Sequence, residues 1–346
     1  MEWKITMSEK VLVTGATGFL GSHVVEHFKQ LNYDVYAIGR NKDKGKQLEE
    51  KGIHFLNMDF TQEEEMIEAC KGMDFIIHAG ALSSPWGRYE EFYQSNVVGT
   101  MNIIKGAKKY GAKRIVHVST PSLYFRFNDD EGFDGKGVRE DHPLPKEMVN
   151  YYAKTKWLAE QEVDKAFAEG LPIITIRPRA IFGEGDNALM PKLIAVNDKV
   201  GVPIFNGGKN RMDITYVGNV VHAIELCLFT DEKNLGKKYN ITNGKTIEFY
   251  ELLDYSFKKM GKPFRKLQLP YGLLFALAGV MEWTHKHFFQ YKEPTLTKYS
   301  VSVLAKTQTL NIEKAQLELG YKPQVSIEEG IEKYVEWYKQ QEKKGN

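Results

Sequence analysis

An α/β chain built on a parallel, doubly wound sheet is what this sequence predicts, and three observations carry the prediction. Short β-branched runs alternate with amphipathic helical stretches through the first half. Two of those runs, "MDFIIHAG" and "LPIITIRP", are apolar without alternation, as expected of strands covered on both faces. A glycine-rich turn, "TGATGFLG", joins the first run to the first helical stretch.

In order along the chain, "KVLVTG" reads as the first strand and is followed by a helix pattern from Gly21 to Leu31. "YDVYAIG" is the second strand, followed by the charged "NKDKGKQLEEKG" and then "IHFLNMDF". In "TQEEEMIEAC" Thr61 stands as N-cap with Glu64 three residues on, a capping-box spacing. After "MDFIIHAG" a helix from about Glu90 to Tyr110 leads to the strand "KRIVHVST". A further helix opens on "NYYAKTK" and feeds "LPIITIRP". Beyond Arg177 the pattern loosens. "GEGDNALMPKLIAV" starts a helix, "RMDITYVGNVVHAIELCLF" is a short extended piece feeding another, and "KKYNITNG" is one more strand. The remainder is helical and closes on the amphipathic "SIEEGIEKYVEWYKQQEKKGN".

At 346 residues the chain exceeds what one compact core usually organises. Lys and Arg total 47 against 45 for Asp and Glu, so there is no electrostatic reason to expect a nucleic-acid partner. Cys70 and Cys227 each sit in an apolar stretch with no second Cys or His at ligand spacing. They read as buried thiols of a reduced, cytoplasmic protein rather than a disulfide or a metal site, and no metal is expected. "MEWKITMSEK" lacks the apolar core of a signal peptide. The most apolar run, Leu269 to Val280, is shorter than the roughly 20 residues a membrane span needs. It reads as a buried or interfacial helix, and no integral membrane segment is expected. Arg126 to Pro145 is a long polar loop, a common place for function.

The glycine turn explains itself chemically. Gly15 permits the tight turn, Gly18 lets backbone approach a pyrophosphate, and Gly21 lets the helix pack on the strand. Thr17, Phe19 and Leu20 complete the turn, and the helix N-terminus offers amides to phosphate oxygens. Dinucleotide binding on a Rossmann-type sheet follows. Phe60, Ala79, Gly80, Ala81 and Ser119 stand at later strand ends, where ligands of open parallel sheets bind. After the second strand comes "AIGRNKDK", with Arg40 where an NAD enzyme usually has a carboxylate and with Lys42 and Lys44 nearby. An Arg fork suits a 2′-phosphate, so NADP(H) is favoured over NAD(H); stacking of Arg40 on the adenine is the other reading. Asp59 is either an acceptor for the adenine amino group or a turn residue. Residues 8–182 with part of 212–245 are expected to form the dinucleotide-binding part. Residues 183–211 and 246–340 would form a smaller, interleaved, mostly helical substrate-binding part.

"NYYAKTK" offers two Tyr–Lys pairs at helical spacing, Tyr151 with Lys154 and Tyr152 with Lys156. The second continues into Ala159, Val163 and Ala166, the stripe that packs on the sheet, whereas the first runs into Gln161, Glu162 and Lys165. Tyr152 and Lys156 are therefore the pair. A free phenol has a pKa near 10. Lys156 and an oxidised nicotinamide would lower it, so that Tyr152 exchanges a proton with a substrate oxygen as hydride moves. Ser119, Thr120 and Ser122 supply hydroxyls at the end of a central strand.

"TGATGFLG", "VHVSTPSLYF", "YAKTK" and "IRPRAIFGEGD" together resemble the extended short-chain dehydrogenase/reductase superfamily over nearly the whole chain. The resemblance implies an NAD(P)-dependent enzyme with Thr120, Tyr152 and Lys156 catalytic and with Asn96 supporting them through its backbone and a water. It also implies that Pro178 and Ile181, beside Arg177, line the nicotinamide pocket, and that the chain is a homodimer. Trp157 would face the partner.

Two departures bear on the branch. Dehydratases carry Asp-Glu after the catalytic threonine, where this chain has Pro121-Ser122. Sugar-nucleotide enzymes carry Arg before Asp-Phe, where this chain has Met212 before Asp213, with Arg211 one residue out of register. Ser84 to Tyr321 is more similar to the 3β-hydroxysteroid dehydrogenase branch, nearest to sterol-carboxylate dehydrogenases and 2-alkyl-3-oxoalkanoate reductases. That resemblance implies hydride transfer at the carbon β to a carboxylate of an apolar small molecule. Ser84, Trp86, Tyr89, Ser122 and Tyr124 are candidate substrate contacts, with Phe125 and Phe127 following. Leu273 to Val280, Trp283, Phe288 and Phe289 are candidate pocket walls, and Arg179, or Lys209 with Arg211, a candidate carboxylate partner. The alternatives are an NAD-dependent nucleotide-sugar 4-epimerase and a redox-sensing binding module.

Overall fold

The computed structural model describes residues 9–128 and 136–345. The centre of the expected polar loop, residues 129–135, and most of the stretch inspected for a signal peptide lie outside the described residues. Seven parallel strands form the central sheet: β1 (Lys10–Thr14), β2 (Asp34–Gly39), β3 (His54–Asn57), β4 (Phe75–His78), β5 (Arg114–Val118), β6 (Ile173–Pro178) and a seventh, Lys238–Ile241. From the outer edge the order is seventh strand, β6, β5, β4, β1, β2, β3. The winding reverses between β1 and β4, which opens a crevice at their C-terminal ends.

The first half supplies helices α1 (Phe19–Gln30), α2 (Lys42–Glu50), α3 (Glu63–Ala69), α4 (Tyr89–Tyr93), α5 (Gly99–Tyr110) and α6 (Tyr151–Ala168). The second half supplies α7 (Leu189–Lys199), α8 (Val217–Phe229), α9 (Phe249–Met260), α10 (Tyr271–His287), α11 (Lys298–Ala305), α12 (Glu313–Leu319) and α13 (Ile327–Gly345). Strand alternation sends side chains to both faces. Val11, Val13, Val116 and Ile174 pack on Val24 and Phe28 of α1 and Ile224 and Cys227 of α8. Leu12, Ile76, Ile115 and Ile173 pack the other way, on Met66 of α3, Ile103 of α5, Val163 of α6 and Cys70. Both cysteines are thus free and buried, on opposite sides of the sheet.

A second core joins Met190 and Leu193 of α7, Leu253 and Phe257 of α9, and Ile331 and Tyr334 of α13. Partly buried Phe19, Leu20 and Ile181 pack against it, so it abuts the glycine turn.

Three local expectations change. The helix expected over 90–110 is α4 and α5 joined by a π-turn, Gln94–Val98, which carries Asn96. Such turns often mark functional positions. Thr61 does not cap α3, which starts at Glu63; instead Asp59 Oδ1 accepts from Thr61 N at 3.0 Å and shapes the approach. In α10 only Leu274 and Ala278 are buried, while Leu273 and Leu277 point outward rather than walling a pocket.

Candidate active site

The turn after β1 is built as a phosphate cradle. Gly15 has φ +70°, and a Cβ there would lie 2.7 Å from Gly80 Cα. At Gly21 an added Cβ would lie 2.1 Å from Gly15 O, so helix and turn meet too closely for any side chain. Gly18 begins α1 with no side-chain cap and no acid in the first turn, which leaves the positive end of the helix for an anion. Gly80 N is tied to Thr14 Oγ1 at 3.2 Å, which brings the ends of β4 and β1 together, with half-buried Ala79 and Ala81 on either side of it. These residues fit a dinucleotide pyrophosphate.

At the end of β2 the Arg40 side chain is 76 % exposed and lies 3.3 Å from Asp59 Oδ2. Lys44 Nζ donates to Thr17 O at 3.1 Å, which places a second cation at the same corner. Asp59 meets both Arg40 and the Thr61 amide, so it shapes this turn while each carboxylate oxygen keeps acceptor capacity. Phe60 beside it wedges its ring where a Cβ on Gly99 would come within 2.4 Å.

Asn150 caps α6, its Oδ1 accepting from Ala153 N at 2.8 Å, and this sets the rotation of the next two turns. Lys156 is 1 % exposed. Its ammonium donates to Val118 O at 2.8 Å and to His117 Nε2 at 3.1 Å. Burial pulls its pKa down to about 8 against the opposing charge of Glu160. Tyr152 is half-buried, and its phenol is pushed up to about 12 by the surrounding protein, with a Thr120 hydrogen bond working the other way. Lys156 is not among the groups that shift the phenol here, and the oxidised nicotinamide that the expectation also invokes belongs to the loaded protein. The lysine spends two of its three donors on His117 and Val118 of β5. His117 in turn stacks on His78 at 5.8 Å, and His78 is held by Thr14 at 2.7 Å and Thr100 at 3.0 Å. Burial keeps both imidazoles neutral, His78 down to about 3.

From Tyr152 an arc of polar groups runs across the site. Thr120 Oγ1 donates to Ser122 Oγ at 3.1 Å, and Ser122 Oγ lies 2.8 Å from the Tyr299 hydroxyl. Tyr299 reaches Arg179, which is buried; burial lowers its pKa against the pull of Tyr299 and Asp213. Among the described residues Arg179 Nε has no hydrogen-bond partner. A buried guanidinium with an unpaired donor has the chemistry to meet an anion, with Asp213 the carboxylate already acting on it.

Behind the arc lies a closed ion pair. Arg177 Nε donates to Glu160 Oε1 at 2.9 Å and Nη2 to Oε2 at 2.5 Å, both side chains being nearly inaccessible. Burial works to raise the Glu160 carboxyl, but the Arg177 guanidinium more than offsets it and holds the acid below its ordinary range. Arg177 also donates to the Tyr124 hydroxyl, and Tyr124 donates to Asn240 Oδ1 at 3.1 Å. Tyr124 is fully buried in this network, which corrects its reading as a substrate contact. The Ser119 hydroxyl is buried near Glu160, whose charged form it favours, and among the described residues its oxygen has no hydrogen-bond partner.

The Asn96 carbonyl accepts from Thr100 Oγ1 at 2.7 Å, and its side chain makes further contacts. Its Oδ1 accepts from Leu82 N at 2.8 Å and its Nδ2 donates to Thr155 Oγ1 at 3.0 Å, stapling the loop after β4 to α6. Along that loop Ser84 holds the Trp86 backbone at 2.8 Å, and Trp86 Nε1 donates to Tyr291 O at 3.0 Å. Trp86, Phe92, Tyr299 and Trp283 line a cavity of about 950 Å³ that meets the arc at Tyr299. Tyr151, Lys154 and Trp157 line it too, so that face of α6 is not simply solvated and Trp157 points into the cavity. Pro178 is buried at the end of β6 and Ile181 half-buried just beyond. Arg211 is exposed while Met212 is buried, and Arg211 is not part of the arc.

Glu160, His117 and Tyr299 are the site residues that sequence reasoning missed. Glu160 carried a signal, one turn beyond Lys156 on the same helix. Among the described residues no group of three or more His, Cys, Asp or Glu is placed to hold a metal ion.

The comparisons agree with this architecture. The sequence profile of the NAD dependent epimerase/dehydratase family matches residues 11–242. A 2-alkyl-3-oxoalkanoate reductase of Stenotrophomonas maltophilia is 30% identical over 325 residues, covering 93% of this chain and 97% of that protein. A sterol-4-alpha-carboxylate 3-dehydrogenase (decarboxylating) of Candida albicans is 31% identical over 349 residues, covering 95% and 97%. The crystal structure of a UDP-glucuronic acid 4-epimerase from Bacillus cereus in complex with NAD superposes with a TM-score of 0.74 at 22% identity, covering 96% of this chain and 99% of that one, a likeness of fold. The resemblance read from the motifs therefore holds, and the chain belongs to the NAD dependent epimerase/dehydratase family of NAD-dependent dehydrogenases and epimerases.

Proposed function

We propose that this protein is an NADP(H)-dependent reductase of an apolar β-oxo acid, interconverting it with the β-hydroxy acid. The observation that carries the reading is the arc from the Tyr152 phenol through Thr120, Ser122 and Tyr299 to the buried Arg179. It sets a proton donor at one end and a carboxylate partner at the other, beside a cavity walled by Trp86, Phe92 and Trp283. The reductase and sterol-carboxylate dehydrogenase relatives act, by their names, on acids of this kind.

NADPH, when bound in the glycine cradle, supplies hydride to the carbonyl carbon. Tyr152 gives its proton to the carbonyl oxygen as the carbon accepts the hydride, and a secondary alcohol results. A phenol near 12 is protonated at neutral pH, the form that a donor needs. Thr120 and Ser122 orient the same oxygen, and Lys156, anchored on β5, keeps α6 and its phenol in place. Residues 183–211 and 246–340 serve as the substrate-binding part, and a homodimer and a cytoplasmic location belong to the same reading.

Following NADPH absorbance against β-oxo acids, their methyl esters, ketosteroids and UDP-sugars tests it. The acids should be reduced and the esters should not. Arg179→Gln should raise KM for the acids about 10- to 100-fold, the scale of one hydrogen bond to a charge, and leave NADPH affinity unchanged. Equal rates for acid and ester, or turnover of a UDP-sugar with retained NAD, would overturn the reading.

For the cofactor, Arg40 and Lys44 stand free to meet a 2′-phosphate, since an exposed pair such as Arg40–Asp59 holds its members by only about 0–1 kcal/mol. Arg40→Asp is expected to reverse the preference from NADPH to NADH. A wild type that binds both equally by fluorescence titration would end that part of the proposal.

A further inference from the structure

We propose that α10 docks this protein on an anionic lipid bilayer, its outer stripe lying at the boundary of headgroups and acyl chains. Leu273, Leu277, Val280 and Trp283 are 60, 46, 60 and 56 % exposed, and their spacing puts them on one helix face. Phe288 and Phe289 extend the patch just past the helix end, 68 and 54 % exposed. The opposite face, Leu274 and Ala278, is packed on Phe205, Val301 and Ala305. One face pins α10 to the fold and the other has no cover. Single exposed apolar side chains are ordinary, but four large ones on one helix face with two more just past its end mark a contact surface.

The rim says what the surface contacts. Lys286 and Lys292 are exposed at the C-terminal end. Lys298 Nζ lies 5.4 Å from the Phe275 ring, and Lys306 Nζ 5.8 Å from the Tyr271 ring at the other end. The acids nearby are already engaged, Glu282 by Lys298 N at 2.7 Å and Glu293 by Lys192 at 2.8 Å. An apolar stripe with tryptophan, rimmed by lysines, matches the interface of an anionic bilayer. A second copy would set the same lysines against one another. Among the described residues no helix is long and apolar enough to cross a membrane, so the helix lies on the surface.

The stripe is also continuous with the site. Gly279, Trp283 and Lys298 line both a groove of about 350 Å³ on α10 and the cavity that meets the polar arc. An apolar ligand leaving the bilayer beneath α10 would reach that cavity along protein. Docking itself stands independently of the substrate proposed above.

Cosedimentation of the full chain with vesicles tests it, equal parts phosphatidylcholine and phosphatidylglycerol against phosphatidylcholine alone. Wild type should sediment about tenfold more with the anionic vesicles, and less as salt rises. Leu273→Glu with Leu277→Glu, positions that line neither cavity, should abolish sedimentation while Tm and NADPH affinity stay unchanged. The proposal fails if wild type does not sediment, or if the double variant sediments equally. It fails too if light scattering shows a wild-type dimer that the double variant splits while neither binds vesicles, since a second copy then covers the stripe.

Discussion

Tyr152→Phe is expected to cut kcat by roughly 10²–10⁴-fold, the usual worth of one positioned acid or base. NADPH affinity should stay within about twofold, because the substitution removes only an interaction made in the transition state. The ring is half-buried and keeps its packing in the variant, so the melting temperature should hardly move. Steady-state rates with fluorescence titration of NADPH separate these outcomes. A variant that turns over at the wild-type rate would take Tyr152 out of the mechanism. The raised phenol also sets a direction: reduction uses the protonated form present at neutral pH, whereas oxidation draws on a phenolate that becomes abundant only as pH approaches about 12.

The second large effect concerns stability. Glu160→Ala leaves the Arg177 guanidinium buried without its carboxylate and should cost about 3–5 kcal/mol, read as a shift in urea midpoint. Replacing both partners by apolar residues should restore much of the loss, because the penalty comes from an unmatched charge rather than from a missing attraction. The pH dependence has a definite sign. The Glu160 carboxyl is lower in the folded chain than its ordinary 4.5, so its contribution is complete above about 4.5 and disappears as pH falls through the folded value. Wild type should therefore lose stability more steeply than Glu160→Ala below pH 4.5. Parallel profiles would show that the pair does not carry that charge coupling.

Much of the scaffold was legible because it depends on local periodicity. Unbroken apolar runs such as "FIIH" need cover on both faces, which selects a parallel sheet with helices on either side. The stripe through Lys156, Ala159, Val163 and Ala166 picked out the buried face of α6 without coordinates. Proximity in sequence misled at Tyr124, which follows Thr120 by four residues. The short helical turn from Pro121 carries it inward to Arg177 rather than outward to a ligand. The π-turn at Asn96 was invisible, since one extra residue per turn leaves hardly any trace in composition.

By itself the sequence determined the sheet, the glycine turn and which stripe of α6 is buried, all set by spacings within one element or one turn. Only the tertiary structure decided what those groups meet. Tyr299 lies 177 residues from Ser122, so no spacing could announce that it stands between Ser122 and Arg179, although Arg179 itself was already a candidate carboxylate partner in the sequence. The same holds for α10, which is apolar around much of its circumference. Which side is covered depends on where Phe205, Val301 and Ala305 arrive from distant parts of the chain, and burial is a property of that meeting.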